Sequence, residues 1–560
     1  MKAPKHIGIV LALLVLIVQA ILLPRVGMSW DEPSSFFVGR ANLKFWMTGN
    51  RAYLNDLQNK ELFKDSPIPY IYGEDIYPPF MFTISSAISY VFAEKLHLMG
   101  VYDAHHLGEV VVGAVGVWAI YGLSTASGLS VPVAAITTIT YALYPTIFGA
   151  MRNDAKDIPL VSLLAVAAYF FVLFFKSWQA KRHRMIWLWG LLFALTLGFA
   201  QATKPTAVII VPIIAVWLIA SLLRSRAFRT SLSPFGPFFM ISLVAGVVAL
   251  GAMVLAWPWL WDDPVGKLKS VFSFFKTVGY NMPVPYFGTI YHAGITVPKT
   301  YPFVILLLQT PVAVTFCVGL GTVYSVWQYV RNKRVWPMLF VIWFYGGMSR
   351  FLFPGFIIYA FVRHFIDVVP AFFVLMGFGI ETIALGAETL AKEFAVTHTF
   401  RFRRIALIVM AIVFVVHEAA ISVQLFPYEM SYFNVLVGGI SNVARLGMFD
   451  VGQGAGVKEA MEYIGKTTTQ PTLVYPCLMG HLAMFYLPPN VGLTKATESG
   501  QYMLVPNSLS WFEGALTYSR KFHKTAYTIR RGGADLFYVY EYTRPSGWRC
   551  GWETKTSYEY

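Results

Sequence analysis

Cysteine is nearly absent, with three in 560 residues. Cys317 lies in an apolar run, and Cys477 and Cys550 lie near the C-terminus. No CxxC pair and no Cys/His metal spacing occurs, which excludes a zinc-built or disulfide-framed fold. Charge is also scarce. Only 13% of residues are charged and 29 are acidic, too few to coat a soluble domain of this size. Repeats and low-complexity stretches are missing as well. What is present is apolar: 56% hydrophobic residues, 16% aromatic and a mean hydropathy of +0.57. That is the composition of a polytopic membrane protein, and the aromatics suit interfacial belts.

The formal net charge of +15 raises nucleic acid as a partner, and its distribution argues against one. Basic residues gather in short loops between apolar runs: Lys176–Arg184, Arg224–Arg229, Arg331–Arg334 and Lys392–Arg404. This is the positive-inside pattern of membrane proteins.

Eleven runs are long and apolar enough to be expected as spans: Ile7–Leu23, Leu107–Leu123, Val131–Ala150, Ile158–Phe175, Ile186–Ala202, Ala207–Leu223, Phe238–Trp257, Phe303–Trp327, Val335–Phe353, Ile366–Leu385 and Ile405–Leu425. Lys2 and Lys5 precede the first, and no small-residue cleavage site follows Leu23. It therefore reads as a retained anchor with a cytoplasmic N-terminus. Counting crossings back from the basic loops leaves Tyr77–Leu96 unable to cross. It is expected to be an interfacial helix started by Pro78-Pro79.

The same count puts 24–106, the turn Arg152–Asp157, Lys204, the loop 258–300, Arg363 and everything after about Pro427 on the outer face. Residues 1–426 are expected to form the transmembrane domain. Residues 427–560 are less apolar and carry β-rich runs such as Thr472–Tyr475 and Asp535–Tyr542, so a small extracytoplasmic α/β domain is expected.

The residues capable of chemistry fall on that outer face. Asp31 and Glu32 follow the first span, either as a solvated interfacial turn or as a carboxylate pair. Asp154 and Asp157 precede the fourth span; Asp157 reads either as an N-cap, with Pro159 in the first turn, or as a reactive group. A carboxylate partly desolvated at a membrane surface gains the basicity of a general base. Lys204 is either a snorkelling lysine or an anion contact. Arg363-His364 offers the bidentate geometry that suits phosphate. Trp259 and Trp261 are either an aromatic belt or a sugar-stacking surface. Glu109, Glu381 and His417-Glu418 lie within spans, close enough to their ends for interfacial solvation. His105, His106 and Glu109 lack the further spacing of a metal site, so no metal is expected.

Several motifs in order resemble those of the polyprenyl-phosphate-dependent glycosyltransferases of the GT-C superfamily, in their bacterial and archaeal branch. That family includes the protein O-mannosyltransferases and the bacterial transferases that add aminoarabinose to lipid A. Trp30-Asp31-Glu32 is similar to the family's acidic motif in the first outer loop. Lys156-Asp157-Ile158-Pro159-Leu160 is similar to its second aspartate motif. Thr203-Lys204-Pro205-Thr206, Pro258-Trp259-Leu260-Trp261, Arg363-His364-Phe365, Pro427-Tyr428-Glu429, Tyr432-Phe433-Asn434 and Gly438-Gly439 resemble weaker signatures. The likeness covers about 1–464.

It implies a GT-C-like helical fold and sugar transfer from a polyprenyl-phosphate-linked donor to an acceptor hydroxyl on a lipid, glycan or protein. Asp31 would be the general base of an inverting displacement, with Glu32 orienting the acceptor. Asp157 and Asp154 would position the substrates. Lys204 and Arg363, with His364 beside them, would neutralise the phosphate without a metal or other cofactor. Trp259, Trp261, Tyr428 and Glu429 would contact substrate. Asp31 and Asp157 should then lie within roughly 12 Å of each other, so that a sugar fits between the groups.

Two readings of other classes remain: a transporter or flippase, which should show inverted repeats and midplane polar residues, and a non-catalytic scaffold. The sequence also allows one bridge on the outer face, Cys477 to Cys550, or two free thiols.

Overall fold

The computed structural model describes residues 6–54, 76–232, 235–359, 361–394, 399–448, 456–494, 500–542 and 550. Lys2, Lys5 and residues 55–75 of the expected first outer loop lie outside these residues. Among the described residues nine helices are long and apolar enough to cross a membrane.

Helix α1 (His6–Leu22) leads through a short connection into α2 (Glu32–Thr48). Helix α3 (Phe80–Ser89) ends in a π turn, Tyr90–Lys95. At ten residues plus six it is shorter than the roughly 20 that a span needs, as expected for Tyr77–Leu96. Arg40 of α2 holds Glu94 of that turn at 2.6 Å.

The centre of the bundle is α4 (Val101–Ala126). Its glycines set how closely its neighbours approach. A Cβ at Gly108 would lie 2.7 Å from the Ser85 Cα, and one at Gly116 would lie 2.8 Å from the Ser162 Cβ. Small residues thus seat α3 and α7 (Asp157–Gln179) directly against α4.

The expected third span splits into α5 (Val131–Leu143) and α6 (Pro145–Ala150). Pro145 has no N–H and pushes Tyr144 into an extended conformation (φ −54°, ψ 124°). Helix α8 (His183–Gln201), α9 (Ile210–Arg224) and α10 (Phe235–Leu255) follow. In the stretch 258–300, expected as the second large outer loop, lie α11 (Pro264–Thr277) and a hairpin of β1 (Pro283–Tyr286) and β2 (Thr289–His292).

The expected span Phe303–Trp327 is also divided. Helix α12 (Tyr301–Leu308) stops before Pro311, and α13 (Val312–Asn332) forms the long helix. Asn434 Nδ2 donates to the Leu307 and Thr310 carbonyls at 2.6 and 2.7 Å, satisfying the break. The expected span Val335–Phe353 is a chain of short pieces: α14 (Trp336–Val341), a π turn over Ile342–Gly346 and a 3₁₀ turn over Arg350–Leu352. A 3₁₀ stretch, Phe361–Val368, runs into α15 (Val369–Glu393), and α16 (Thr399–Leu425) closes the bundle. The interruptions account for nine long helices against eleven expected spans.

The C-terminal region is a five-stranded sheet in the order β4 (Val491–Leu493), β3 (Thr472–Tyr475), β5 (Tyr502–Pro506), β7 (Ala534–Glu541), β6 (Lys524–Arg531). The first three strands are parallel and the last two form an antiparallel hairpin. It turns at Gly532-Gly533, both at positive φ. Helices α17 (Val457–Thr467) and α18 (Leu509–Phe522) accompany the sheet, giving the expected α/β layout. Cys477 and Cys550 are bridged across 73 residues, with Cα atoms 5.6 Å apart, within normal disulfide geometry.

Candidate active site

The connection Ser29–Asp31, the start of α7, the turn after α8 and the 3₁₀ stretch before α15 meet at one end of the bundle. The basic turns Lys176–Arg184, Arg224–Arg229 and Arg331–Arg334 lie at the other ends of α7, α9 and α13.

Asp31 and Asp157 share one guanidinium. Arg363 Nη2 donates to Asp31 Oδ2 at 2.6 Å, and Arg363 Nε pairs with Asp157 Oδ2 at 2.8 Å. The two carboxylates therefore sit well inside the separation of roughly 12 Å needed to flank a sugar. Lys204 Nζ pairs with Asp157 Oδ1, and Lys156 Nζ lies 3.6 Å from Asp31 Oδ2. Asp157 is fully enclosed at 1% exposure, whereas the Asp31 side chain keeps 36%. Asp31 is thus the carboxylate of the pair that a substrate can reach. Burial works to raise its carboxyl, but Lys156 and Arg363 outweigh burial and hold it well below the usual carboxylate range.

Asp154, not Asp157, caps α7. Its Oδ1 accepts from the backbone N–H of Asp157 at 2.8 Å and of Lys156 at 3.1 Å. Asp157 is thereby freed from capping and turned toward the cations. Burial, reinforced by the Asp157 charge, pushes the Asp154 carboxyl up to about 7.

Glu32 does not join Asp31. It is buried and faces the bundle interior, with Oε1 2.7 Å from His106 Nε2 and Oε2 accepting from the Ser29 backbone N–H at 2.6 Å. It braces the loop that carries Asp31. Glu109, one turn beyond His106, is fully buried and not solvated at an interface, and Glu418 of α16 is likewise buried. Glu381 lies midway along α15 and pairs with Arg403, near the start of α16. Among the described residues no group of three or more His, Cys, Asp or Glu is placed to hold a metal.

Tyr428 and Glu429 are committed elsewhere. Glu429 Oε2 pairs with Arg152 Nη2 at 2.5 Å, both side chains fully buried. The Tyr428 hydroxyl donates to Glu459 at 2.9 Å, beside Arg531, which pairs with the same carboxylate at 2.9 Å. Trp261 donates to the Val254 carbonyl at 2.8 Å and its ring packs on Phe45 and Trp46. Trp259 stacks on Trp257, with the Lys267 ammonium 4.9 Å from its ring. Trp261 thus anchors the far end of α2 to the stretch that follows α10.

His364 packs edge-on against Tyr359, ring centroids 4.1 Å apart. Tyr359 is a site residue that the sequence reading passes over. Its phenol is pushed up to about 12 by burial, so it stays a neutral donor beside Arg363. Lys156 is another, with its ammonium 4.2 Å from the Tyr77 ring. Lys156 was legible in the motif Lys156-Asp157-Ile158-Pro159-Leu160. Tyr359 lies in an irregular stretch whose path no periodicity foretells.

Residues 78–257 match the family described as dolichyl-phosphate-mannose-protein mannosyltransferase. No curated protein matches the chain. Among solved structures, ArnT from Cupriavidus metallidurans bound to undecaprenyl phosphate is similar at 16% identity over 95% of this chain and 97% of that one, with a TM-score of 0.47. The Archaeoglobus fulgidus oligosaccharyltransferase tethered with an acceptor peptide is similar at 14% identity over 94% of this chain and 74% of that one, TM-score 0.48. The S. cerevisiae Pmt1-Pmt2 complex bound to the sugar donor gives 16% identity over 47% and 34%, TM-score 0.32.

Proposed function

We propose that the chain is a polyprenyl-phosphate-dependent GT-C glycosyltransferase and that it moves a sugar from a polyprenyl-phosphate-linked donor to an acceptor hydroxyl. The match of 78–257 to the mannosyltransferase family supports the class. The observation that carries the reaction is Arg363 shared between an accessible Asp31 and an enclosed Asp157.

The charge of the cluster suits such a donor. With Asp154 protonated, Lys156, Lys204 and Arg363 face two carboxylates, which leaves one positive charge in excess. A polyprenyl-phosphate sugar is a phosphodiester with one negative charge. As its bond to the sugar breaks, a second charge develops on the phosphate, and preorganised cations stabilise it. Lys204 and Arg363 fill that role in place of a metal ion, and no cofactor is invoked. Transfer that persists in excess chelator is the expected result.

In the reaction, the acceptor oxygen bonds to the anomeric carbon as the bond from that carbon to the phosphate oxygen breaks. Asp31 takes the acceptor proton, and polyprenyl monophosphate leaves. One displacement inverts the anomeric centre. While Arg363 and Lys156 grip it, Asp31 is a weak base. A donor phosphate that draws Arg363 toward itself weakens that grip and strengthens the base, so the chemistry waits for the donor. Asp157 and Asp154 hold Lys204 and the α7 start in place. The active end is assigned to the extracytoplasmic side of the cell membrane, opposite the basic turns, with the C-terminal domain on the same side.

Asp31→Asn is the direct test. It keeps shape and removes the base, so it should abolish transfer while leaving donor binding measurable. A flippase or a scaffold would keep its role in this variant, and near-normal transfer would remove Asp31 as base.

A further inference from the structure

The connection between α1 and α2, residues 24–31, is held by the C-terminal domain. Lys458 of α17 donates to the Pro24 and Val26 carbonyls at 2.6 and 3.2 Å. The Tyr486 hydroxyl accepts from the Met28 N–H at 2.8 Å. Closest to Asp31, His481 Nε2 lies 3.2 Å from the Trp30 carbonyl oxygen. The His481 and Trp30 rings pack edge-to-face with centroids 4.4 Å apart.

The Trp30 contact is unlike the others. The Trp30 carbonyl belongs to the peptide plane that ends at the Asp31 Cα. Because that plane is rigid, holding its oxygen restrains the N–Cα bond about which the Asp31 side chain turns. A carbonyl oxygen only accepts, so in this contact His481 donates from Nε2. Past Asp31 the chain is already set by α2, where the Asp31 carbonyl accepts from the Ser35 N–H at 3.3 Å. Before it, Trp30 and Asp31 are the central residues of a turn closed by the Glu32 N–H on the Ser29 carbonyl at 3.2 Å, and His481 is the C-terminal domain's contact with that turn at the peptide next to Asp31.

We infer that His481 is a positioning residue for Asp31, and that the C-terminal domain therefore completes the catalytic centre. The inference rests on the transfer reaction proposed above. It concerns the one N–H that the tail aims at the Trp30–Asp31 peptide.

Two substitutions separate the hydrogen bond from the packing. His481→Phe keeps the ring against Trp30 and removes the donor. His481→Gln places an amide N–H near the Nε2 position and removes the ring. With purified protein and a synthetic polyprenyl-phosphate sugar, His481→Phe should lower kcat about 10- to 100-fold, the effect of a displacement on the order of 1 Å at a reacting group. Donor Kd should stay within about twofold, since Lys204 and Arg363 are untouched. His481→Gln should retain kcat within about threefold of the unsubstituted enzyme. A Gln-to-Phe ratio of kcat above about three supports the assignment, and a lower ratio overturns it. Asp31→Asn, assayed alongside, keeps the two readings apart. Loss of transfer there with equal Phe and Gln variants removes His481 alone, whereas retained transfer removes Asp31 as base.

Discussion

Arg363 ties Asp31 to Asp157, with Nη2 2.6 Å from one carboxylate and Nε 2.8 Å from the other. Two nitrogens of one planar group serve two acidic motifs that are 126 residues apart in sequence. Lysine offers one compact charge and cannot span both. Arg363→Lys should therefore preserve the net charge yet weaken donor binding and lower kcat together, by about 10- to 100-fold in kcat/KM. Single-turnover kinetics beside equilibrium binding of the donor would check both parts. A variant with unaltered kcat/KM would show that the bridge is dispensable.

Asp154 supplies a pH signature. Its carboxyl is pushed up to about 7 by burial and by Asp157, above the ordinary value of about 3.9. A carboxyl raised in the folded state contributes stability that is full below its unfolded value and is lost as pH rises toward the folded one. Thermal stability should thus fall between about pH 4 and 7 through this group and level off above. Donor affinity should fall over the upper part of that window, as the positive excess of the cluster is cancelled. Asp154→Asn keeps the Oδ1 that caps α7 and should flatten both trends. Melting and binding series from pH 5 to 9 would read them, and parallel slopes for variant and parent would refute the assignment.

Hydropathy and positive-inside counting were enough to mark the bundle, to single out Tyr77–Leu96 as different from the long helices and to group the candidate residues at one end, because membrane insertion constrains length and charge strongly. Motif order was enough to expect Asp31, Asp157, Lys204 and Arg363 to converge, as they do. Breaks were harder to see. Pro145 and Pro311 lie inside apolar runs that hydropathy reads as continuous, and only backbone hydrogen bonding shows the interruption. Glu32 and Glu429 carry the same motif signal as Asp31, yet each is consumed by a buried partner, His106 and Arg152. Partnering across 74 or 277 residues leaves no local trace. His481 is silent in the sequence for the same reason, since its place depends on how the tail docks.

The Arg152–Glu429 pair should behave as a buried ion pair. Both side chains are fully enclosed, and the guanidinium lies 5.0 and 5.1 Å from the Phe148 and Phe426 ring centroids. Glu429→Gln strands a buried cation, and a loss of about 3–5 kcal/mol is expected. The double change Arg152→Met with Glu429→Leu removes both charges and should recover most of that loss. Unfolding midpoints of the two proteins in detergent would measure it. Equal destabilisation would mean that the pair acts through packing and not through charge.

The disulfide gives the last prediction. Cys477 opens the turn that leads, four residues later, to His481. Cys550 donates its N–H to the Tyr475 hydroxyl at 3.1 Å, on the strand just before that turn. The bridge closes a loop of 73 residues, worth about 4 kcal/mol to the tail in the chain-entropy model. Cys477→Ser should cost the domain an amount of that order and leave the helical bundle intact. If the tail fixes the Trp30–Asp31 peptide, the same variant, or mild reduction of the parent, should lower kcat more than donor affinity, because Lys204, Arg363 and Lys156 all belong to the bundle. The comparison needs one protein, assayed oxidised and reduced, with donor binding measured in both states. A fall in donor affinity with kcat unchanged would place the effect of the bridge on the bundle and detach the tail from Asp31.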